Sequence, residues 1–392
     1  MNEKTRYKIL FLANWYPDRE NPVAGIFIKK HAEAASRFCE VAVLHVSGAQ
    51  KTQKNKYEIE YANENQIPTI RVRYKIPPPE VPFLTKYRHF RGIFLGVRAF
   101  EKALGKPDMV HVNVADSLTG LVAVKLKFFS KIPYIVTEHN TAYTDENGSF
   151  RRMPAHSRFL LGLIFKHADA VTAVSDYLLK ALKKNFTIKE PAYIVPNVIS
   201  IPDKITFERE PGKIRALSVS LLSDSSKNIS GLIKAFAAAA RQCGDLVLDI
   251  VGDGPDRRML EGLARELGLL NKRVFFHGLV PNDKLEGFFR RANFFVLNSN
   301  YETFSVATAE ALAHGLPVLI TECGGPQEFV SEERGIIVKK RDVNSMAEGL
   351  ELMASRWDSF DPAALSSYAR ERFAAAPVAE KIYRVYEKIL SL

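Results

Sequence analysis

Cysteine is scarce in this chain: 392 residues contain three, Cys39, Cys243 and Cys323. They are odd in number, far apart and never paired as C-x-x-C, which excludes a disulfide framework and a zinc knuckle and reads as free thiols. Long apolar runs are missing too. No stretch approaches the ~20 residues needed to cross a bilayer. The opening MNEKTRYKILFLAN passes from a polar lead-in straight to a strand-like run, without the apolar core of a signal peptide. The expectation is a cytoplasmic protein, peripheral to the inner face of a membrane at most. D-x-D, H-E-x-x-H and Cys/His metal spacings are absent, so no metal site is expected. G-x-S-x-G is absent, which leaves a nucleophile-elbow hydrolase unsupported. At Gly252-Asp253-Gly254 the third glycine of a dinucleotide fingerprint is replaced by Arg257, so that signal is discounted.

What is present is an ordinary globular composition, 46% hydrophobic and 25% charged, in a chain long enough for two domains. The net charge of +11 favours acidic partners: nucleic acid, anionic lipid or phosphorylated small molecules. Nucleic acid is set aside, because no base-reading motif accompanies the charge.

Short β-branched or aromatic runs alternate with helix-period segments from end to end. The first series is 8–14, 41–46, 69–74, 109–114, 134–139 and 170–175. The second is 214–220, 246–252, 274–278, 294–299, 317–321 and 335–338. Apolar strands joined by helices imply α/β domains with parallel sheets covered on both faces. The polar stretch 199–213, with two prolines and a glycine, puts the boundary near residue 205. Ligands of such sheets sit beyond the carboxyl ends of the strands, so two facing sheets would enclose an inter-domain cleft.

Within LNSNYETFSVATAEALAHGLPVLITECGGPQE (297–328), a strand end is followed by Glu302 and by a helix beginning near Ser305 that carries Glu310. The backbone N–H groups of Thr303, Phe304 and Ser305 at the helix start would suit an anion, and two carboxylates would suit a ligand rich in hydroxyls. Taken alone, the E-x7-E spacing more often marks a surface loop glutamate and a solvated helix glutamate, since exposed Glu is the norm. Residues 85–104 place Phe90, Ile93, Phe94, Val97, Phe100 and Leu104 on one helical face, with Arg91, Arg98 and Lys102 opposite. That face would pack on its own sheet, or the basic side would lie on an anionic membrane. Pro77-Pro78-Pro79 upstream reads as a stiff loop.

Residues 298–328 resemble the signature of the retaining glycosyltransferases of family 4, of the GT-B fold class: P-S-x-x-E-x-F-G-x-x-x-x-E-A-x-A-x-G-x-P-V, then G-G-x-x-E. Ser299, Glu302, Phe304, Glu310, Ala311, Ala313, Gly315, Pro317, Val318, Gly324, Gly325 and Glu328 match, while Asn298 and Ser305 replace Pro and Gly. The likeness extends to NWYPDRENPVAGIFIKKHA (14–32) with Gly25, to YIVTEHNT (134–141) with His139, and to YIVPNVIS (193–200). It also covers VGDGPDRRMLEGLA (251–264) with Gly252 and VFFHGLVPNDKL (274–285) with Gly278. SVSLLSDSSKNISGLIKAF (218–236) is similar to the V-G-R-L-x-x-x-K-G motif, with Lys227 on its Lys and no counterpart of its Arg.

The resemblance implies two Rossmann-like domains of GT-B type facing an inter-domain cleft. Residues 1–204 would bind the acceptor and 205–375 the nucleotide sugar, with the 376–392 helix packing back on the first domain. It implies transfer of a sugar, with retention, from a nucleotide-diphosphate sugar to a glycan or lipid-linked acceptor in cell-surface polysaccharide, lipopolysaccharide or glycolipid synthesis. Glu310 would hold the donor ribose, Glu302 would lie nearer the sugar and diphosphate, and His139 would touch the sugar or the reacting centre. Lys227 would neutralise the leaving diphosphate. Gly25, Gly252, Gly278, Thr303, Phe304 and Ser305 would complete the donor site, with no metal and no cofactor. Peripheral contact with an anionic membrane fits the basic helix. A non-catalytic relative that binds a nucleotide sugar or glycan is the alternative, favoured by the missing Arg.

Overall fold

The computed structural model describes residues 6–18, 21, 23–49, 55–77 and 80–391. Met1–Thr5 of the lead-in, Pro22 of the first loop, and Pro78 and Pro79 of the expected stiff loop lie outside the described residues. The chain divides into two compact units, Met1–Val198 with Ala375–Leu392, and Ile199–Ala374.

The first unit is built on an eight-stranded sheet. Its strands are β1 (Lys8–Ala13), β2 (Glu40–Ala49), β3 (Tyr57–Glu64), β4 (Ile67–Lys75), β5 (Met109–Asn113), β6 (Tyr134–Glu138), β7 (Ala170–Ala173) and β8 (Ala192–Ile194). They lie in the order β3-β4-β2-β1-β5-β6-β7-β8. Strands β1, β5, β6 and β7 are apolar and buried almost throughout, as parallel strands covered on both faces must be.

The sheet is parallel as expected except at one edge, where it carries a strand that the sequence reading did not include. Strand β3 pairs antiparallel with β4, Tyr57 opposite Tyr74 and Glu64 opposite Ile67. Asn65 and Gln66 make the two-residue connection with φ of 50° and 67°, the left-handed pair that a tight hairpin requires. The alternation Tyr57-Glu58-Ile59-Glu60-Tyr61 was the available signal, and its acidic half hid it.

Helix Pro82–Leu104 starts three residues before the expected 85, with Pro82 at its first turn, where a missing N–H costs nothing. Ile93, Val97 and Phe100 are buried, while Arg91, Arg98 and Lys102 are exposed. The final helix, Ala375–Leu390, puts Val378, Ile382, Val385 and Tyr386 into the core cluster of Ile9, Phe11, Ile28 and Ala32.

The second unit carries a six-stranded parallel sheet: β9 (Ile214–Val219), β10 (Leu246–Val251), β11 (Val274–Gly278), β12 (Phe294–Leu297), β13 (Val318–Thr321) and β14 (Gly335–Val338). Their order is β11-β10-β9-β12-β13-β14. The division between units falls at Val198/Ile199, ahead of residue 205, because the start of the polar stretch is tied into the second unit. Ile199 N donates to Phe373 O at 3.0 Å, and Arg370 Nη2 donates to Pro202 O at 2.9 Å.

Candidate active site

In the second unit the 298–302 loop leaves the end of β12 and is laced to the turn that carries Lys227. Asn300 N donates to Ser226 O at 2.8 Å, Asn300 Nδ2 to Ser225 O at 2.9 Å, and Asn298 Nδ2 to Asn228 O at 2.8 Å. The Lys227 turn is a single helical turn, Asp224–Lys227, closed by Asn228 in the left-handed conformation. Asp224 then accepts from Ser230 N and Ser230 Oγ, both at 2.7 Å.

These ties bring Lys227 Nζ onto Glu302 Oε1 as an ion pair. Ser299 Oγ donates to the same oxygen at 2.8 Å, and Glu302 N donates to Cys323 O at 2.6 Å. Glu302 is buried, so the expectation of a surface glutamate is set aside at this position. A buried carboxylate with a lysine and a hydroxyl on one oxygen is a fixed dipole. The Cys323 thiol is pushed up to about 12 by burial and stays protonated.

Glu302 N and O bridge to the Cys323–Gly325 turn, since Gly325 N donates to Glu302 O at 2.9 Å. Ser305, at φ +64°, precedes helix Val306–Ala313, and its hydroxyl bonds Thr308 Oγ1 at 2.8 Å. Thr303 is buried. Phe304 has its ring packed between Phe329 and Phe373, with centroids 5.4 and 5.2 Å away. The Phe304 side chain therefore belongs to the core, and its backbone is what remains for a ligand. Gly252 and Gly278 end neighbouring strands, and Gly252 N donates to Gly278 O at 2.8 Å.

Glu310 stands apart from the Lys227 pair. Its Oε1 accepts from Ser200 N at 3.1 Å, and it lines a cavity of about 200 Å³ with Ser200, Pro202, Leu285, Phe289 and His314. His314 Nδ1 lies 2.8 Å from Glu310 O. Sequence reasoning missed Arg341. It follows β14 in the left-handed conformation, φ +58°, and its Nε donates to Asn300 Oδ1 at 3.3 Å, on the Lys227–Glu302 loop. No motif pointed to it.

In the first unit Gly25 caps helix Ile26–Ala35 at φ +62°. A Cβ there would lie 2.4 Å from Trp15 O, so the first loop folds against the helix start only with glycine at this position. His139 follows β6 and is buried, with Nδ1 3.0 Å from Asn197 Oδ1. Burial holds its proton affinity well below the ordinary value, and His31 nearby lowers it further. Its neighbour Glu138 is wholly buried, and desolvation raises its carboxyl to about 8. Glu138 Oε1 accepts from Ala115 N at 2.7 Å. His111 is a core residue between Tyr386 and Thr137. Asn197, 58 residues from His139, carried no sequence signal as its partner.

Two Rossmann-like α/β units on parallel sheets, with these strand–loop motifs, define the GT-B class of transferases. Residues 27–201 match the family described as Glycosyltransferase Family 4, and residues 203–372 match Glycosyl transferases group 1. An uncharacterized glycosyltransferase of Methanocaldococcus jannaschii is 29% identical over 325 residues, spanning 76% of this chain and 78% of its own. The alpha-monoglucosyldiacylglycerol synthase of Streptococcus pneumoniae is 27% identical over 268 residues, 62% of this chain and 58% of the relative. Among solved structures, Anabaena HepE in complex with UDP and glucose aligns with a TM-score of 0.73 at 16% identity, covering 98% of this chain and 100% of that one. The chain belongs to the group 1, family 4 glycosyltransferases.

Proposed function

We propose that this glycosyltransferase moves a sugar from a nucleoside-diphosphate donor to a glycan or lipid-linked acceptor, with retention of configuration and without a metal ion. The donor would sit on the second unit and the acceptor on the first, in the cytoplasm. The observation that carries this reading is the ion pair between half-buried Lys227 and buried Glu302 at the carboxyl end of the second sheet. A lysine held by a neighbouring carboxylate can turn to a diphosphate without first being ordered, which is electrostatic preorganisation. Arg341, which follows β14 and is hydrogen-bonded to Asn300 of the Glu302 loop, would supply the second cation that the missing motif arginine leaves wanting. Glu310 would take the ribose hydroxyls, displacing the Ser200 N–H. The departing phosphate oxygen would accept the acceptor proton on the face from which the acceptor attacks.

UDP and glucose in the HepE complex support a nucleoside-diphosphate sugar as donor. The lipid product named for the pneumococcal relative supports a glycolipid or cell-surface polymer as destination. Exposed Arg91, Arg98 and Lys102, with Phe83 82% exposed on the same helix, suit contact with an anionic membrane. The test is nucleotide release from a panel of nucleotide sugars in the presence of membrane extract as acceptor. The wild type releases nucleotide, and Glu302→Gln lowers kcat/KM by roughly a hundredfold, the scale of removing one preorganised electrostatic group. Turnover unchanged in Glu302→Gln would remove Glu302 from the site.

A further inference from the structure

Strands β3 and β4 form a hairpin with charged residues on one face. Glu60 stands opposite Arg71, and Glu58 opposite Arg73. Arg71 is level with His45 of β2, and His45 with Ala13, the last residue of β1. These charges therefore lie at the carboxyl end of the first sheet, where ligands of parallel sheets sit. The loop after β1 meets them there. Its Pro17 and Asp18 close a cavity of about 290 Å³ against Glu60, Glu64, Arg71 and Arg73.

Opposite charges facing each other on an edge strand commonly pair with one another. Here the facing pair Glu60–Arg71 is not made. Arg71 Nη2 goes instead to Glu64 Oε1 at 2.6 Å and to Pro17 O at 3.0 Å. Lys29 Nζ also reaches Glu64, at 3.1 Å. Arg71 is 7% exposed, and its guanidinium lies 5.6 Å from the centroid of the Tyr16 ring. Its Nε is buried with no hydrogen-bond partner, a state that calls for a reason. Glu60, half-buried on the cavity wall, has no ion-pair partner among the described residues.

The lining holds two guanidiniums and three carboxylates, and Lys29 behind Glu64 brings the signs level. A phosphate or carboxylate ligand would face Asp18, Glu60 and Glu64. A cation would face Arg71 and Arg73. Such a wall suits an uncharged ligand that both donates and accepts. Adjacent ring hydroxyls do so, giving protons to a carboxylate and accepting from guanidinium N–H groups. The volume is near that of the smallest ligand pockets, roughly 300 Å³, which suits one sugar ring. We propose that this cavity is a subsite for an uncharged sugar of the acceptor, with Glu60 accepting from its hydroxyls and Arg71 donating to them. The inference rests on the reading of the first unit as the acceptor side and deepens it, because it selects a glycan with a neutral sugar over a bare lipid.

Saturation-transfer NMR of the full chain, without donor, reads the binding of methyl glycosides of glucose, galactose, mannose, rhamnose and N-acetylglucosamine, with methyl glucuronide as the anionic probe. At least one uncharged glycoside receives saturation, and its titration gives a Kd. Glu60→Gln, isosteric and on an edge strand, weakens that binding by about tenfold, the scale of one charge-assisted hydrogen bond. Arg71→Lys keeps a cation beside Glu64 but loses the planar fork, and weakens binding to a similar extent. Methyl glucuronide binds more weakly than the best uncharged glycoside. Saturation of no uncharged glycoside, a Kd unchanged in Glu60→Gln, or methyl glucuronide bound as tightly as the neutral probes overturns the subsite. If the chain binds a glycoside in this Glu60-dependent way yet releases nucleotide from no nucleotide sugar, the proposed function fails instead, and the sugar site stands without its acceptor role.

Discussion

Gly252 closes β10 at φ +136°, and a Cβ built there would lie 1.8 Å from Ser220 O. Ser220 belongs to the stretch where the family motif arginine has no counterpart. The backbones of the β9 and β10 turns thus touch beside the Lys227 loop, with no room for any side chain on Gly252. Gly252→Ala combines a backbone clash with an unfavourable φ, and is expected to lower stability by roughly 2–4 kcal/mol, measured as a drop in denaturant midpoint. The sequence named Lys227 and Glu302 separately through the family likeness. Their ion pair was not legible, because 75 residues separate them and only the Asn298 and Asn300 ties to the turn bring them together. Arg341 escaped for the same reason. Its placement depends on a left-handed backbone after β14, which spacing does not encode.

At the scale of elements, most strands were legible because apolar strands buried on both faces leave uninterrupted runs of Val, Ile, Leu and Phe. β3 was not, because an edge strand with one wet face breaks that run with glutamates. The closing helix illustrates a limit of another kind. Its amphipathic pattern is plain, but which core it serves depends on contacts that span the whole chain. Val378, Ile382, Val385 and Tyr386 pack with Ile9, Phe11 and Ile28. At about 2 kcal/mol for each large apolar side chain buried, deleting residues 375–392 removes of order 8 kcal/mol, comparable with the whole stability of a domain. The truncated chain is expected to lose the cooperative unfolding transition of the first unit in calorimetry while keeping that of the second. A first unit that still melts cooperatively would contradict this packing account.

For the whole molecule, buried titratable groups set how stability follows pH. Burial lowers His31 to about 4 and holds His111 and His139 well below the ordinary value. Between about pH 6.5 and 4 the unfolded chain binds protons that these folded rings refuse, so stability falls as pH falls through that window. For His31 alone the full loss is about 3 kcal/mol. Glu138 runs the other way. With a folded value of about 8, it holds a proton that the unfolded chain releases near 4.5, and its contribution declines as pH rises from there to 8. Three histidines outweigh one glutamate in the acid window, so the guanidine midpoint is expected to be lower at pH 5 than at pH 7. Glu138→Gln should flatten the decline between pH 7 and 8.

The central claim is that Lys227, paired with Glu302, holds the donor diphosphate without a metal ion. Calorimetric titration with the nucleoside diphosphate that most raises the melting temperature, carried out in excess EDTA, tests it most directly. The account predicts that binding persists in EDTA and weakens about tenfold or more in Lys227→Ala, the loss of one charge-assisted hydrogen bond. Binding abolished by EDTA, or unchanged in Lys227→Ala, would contradict it.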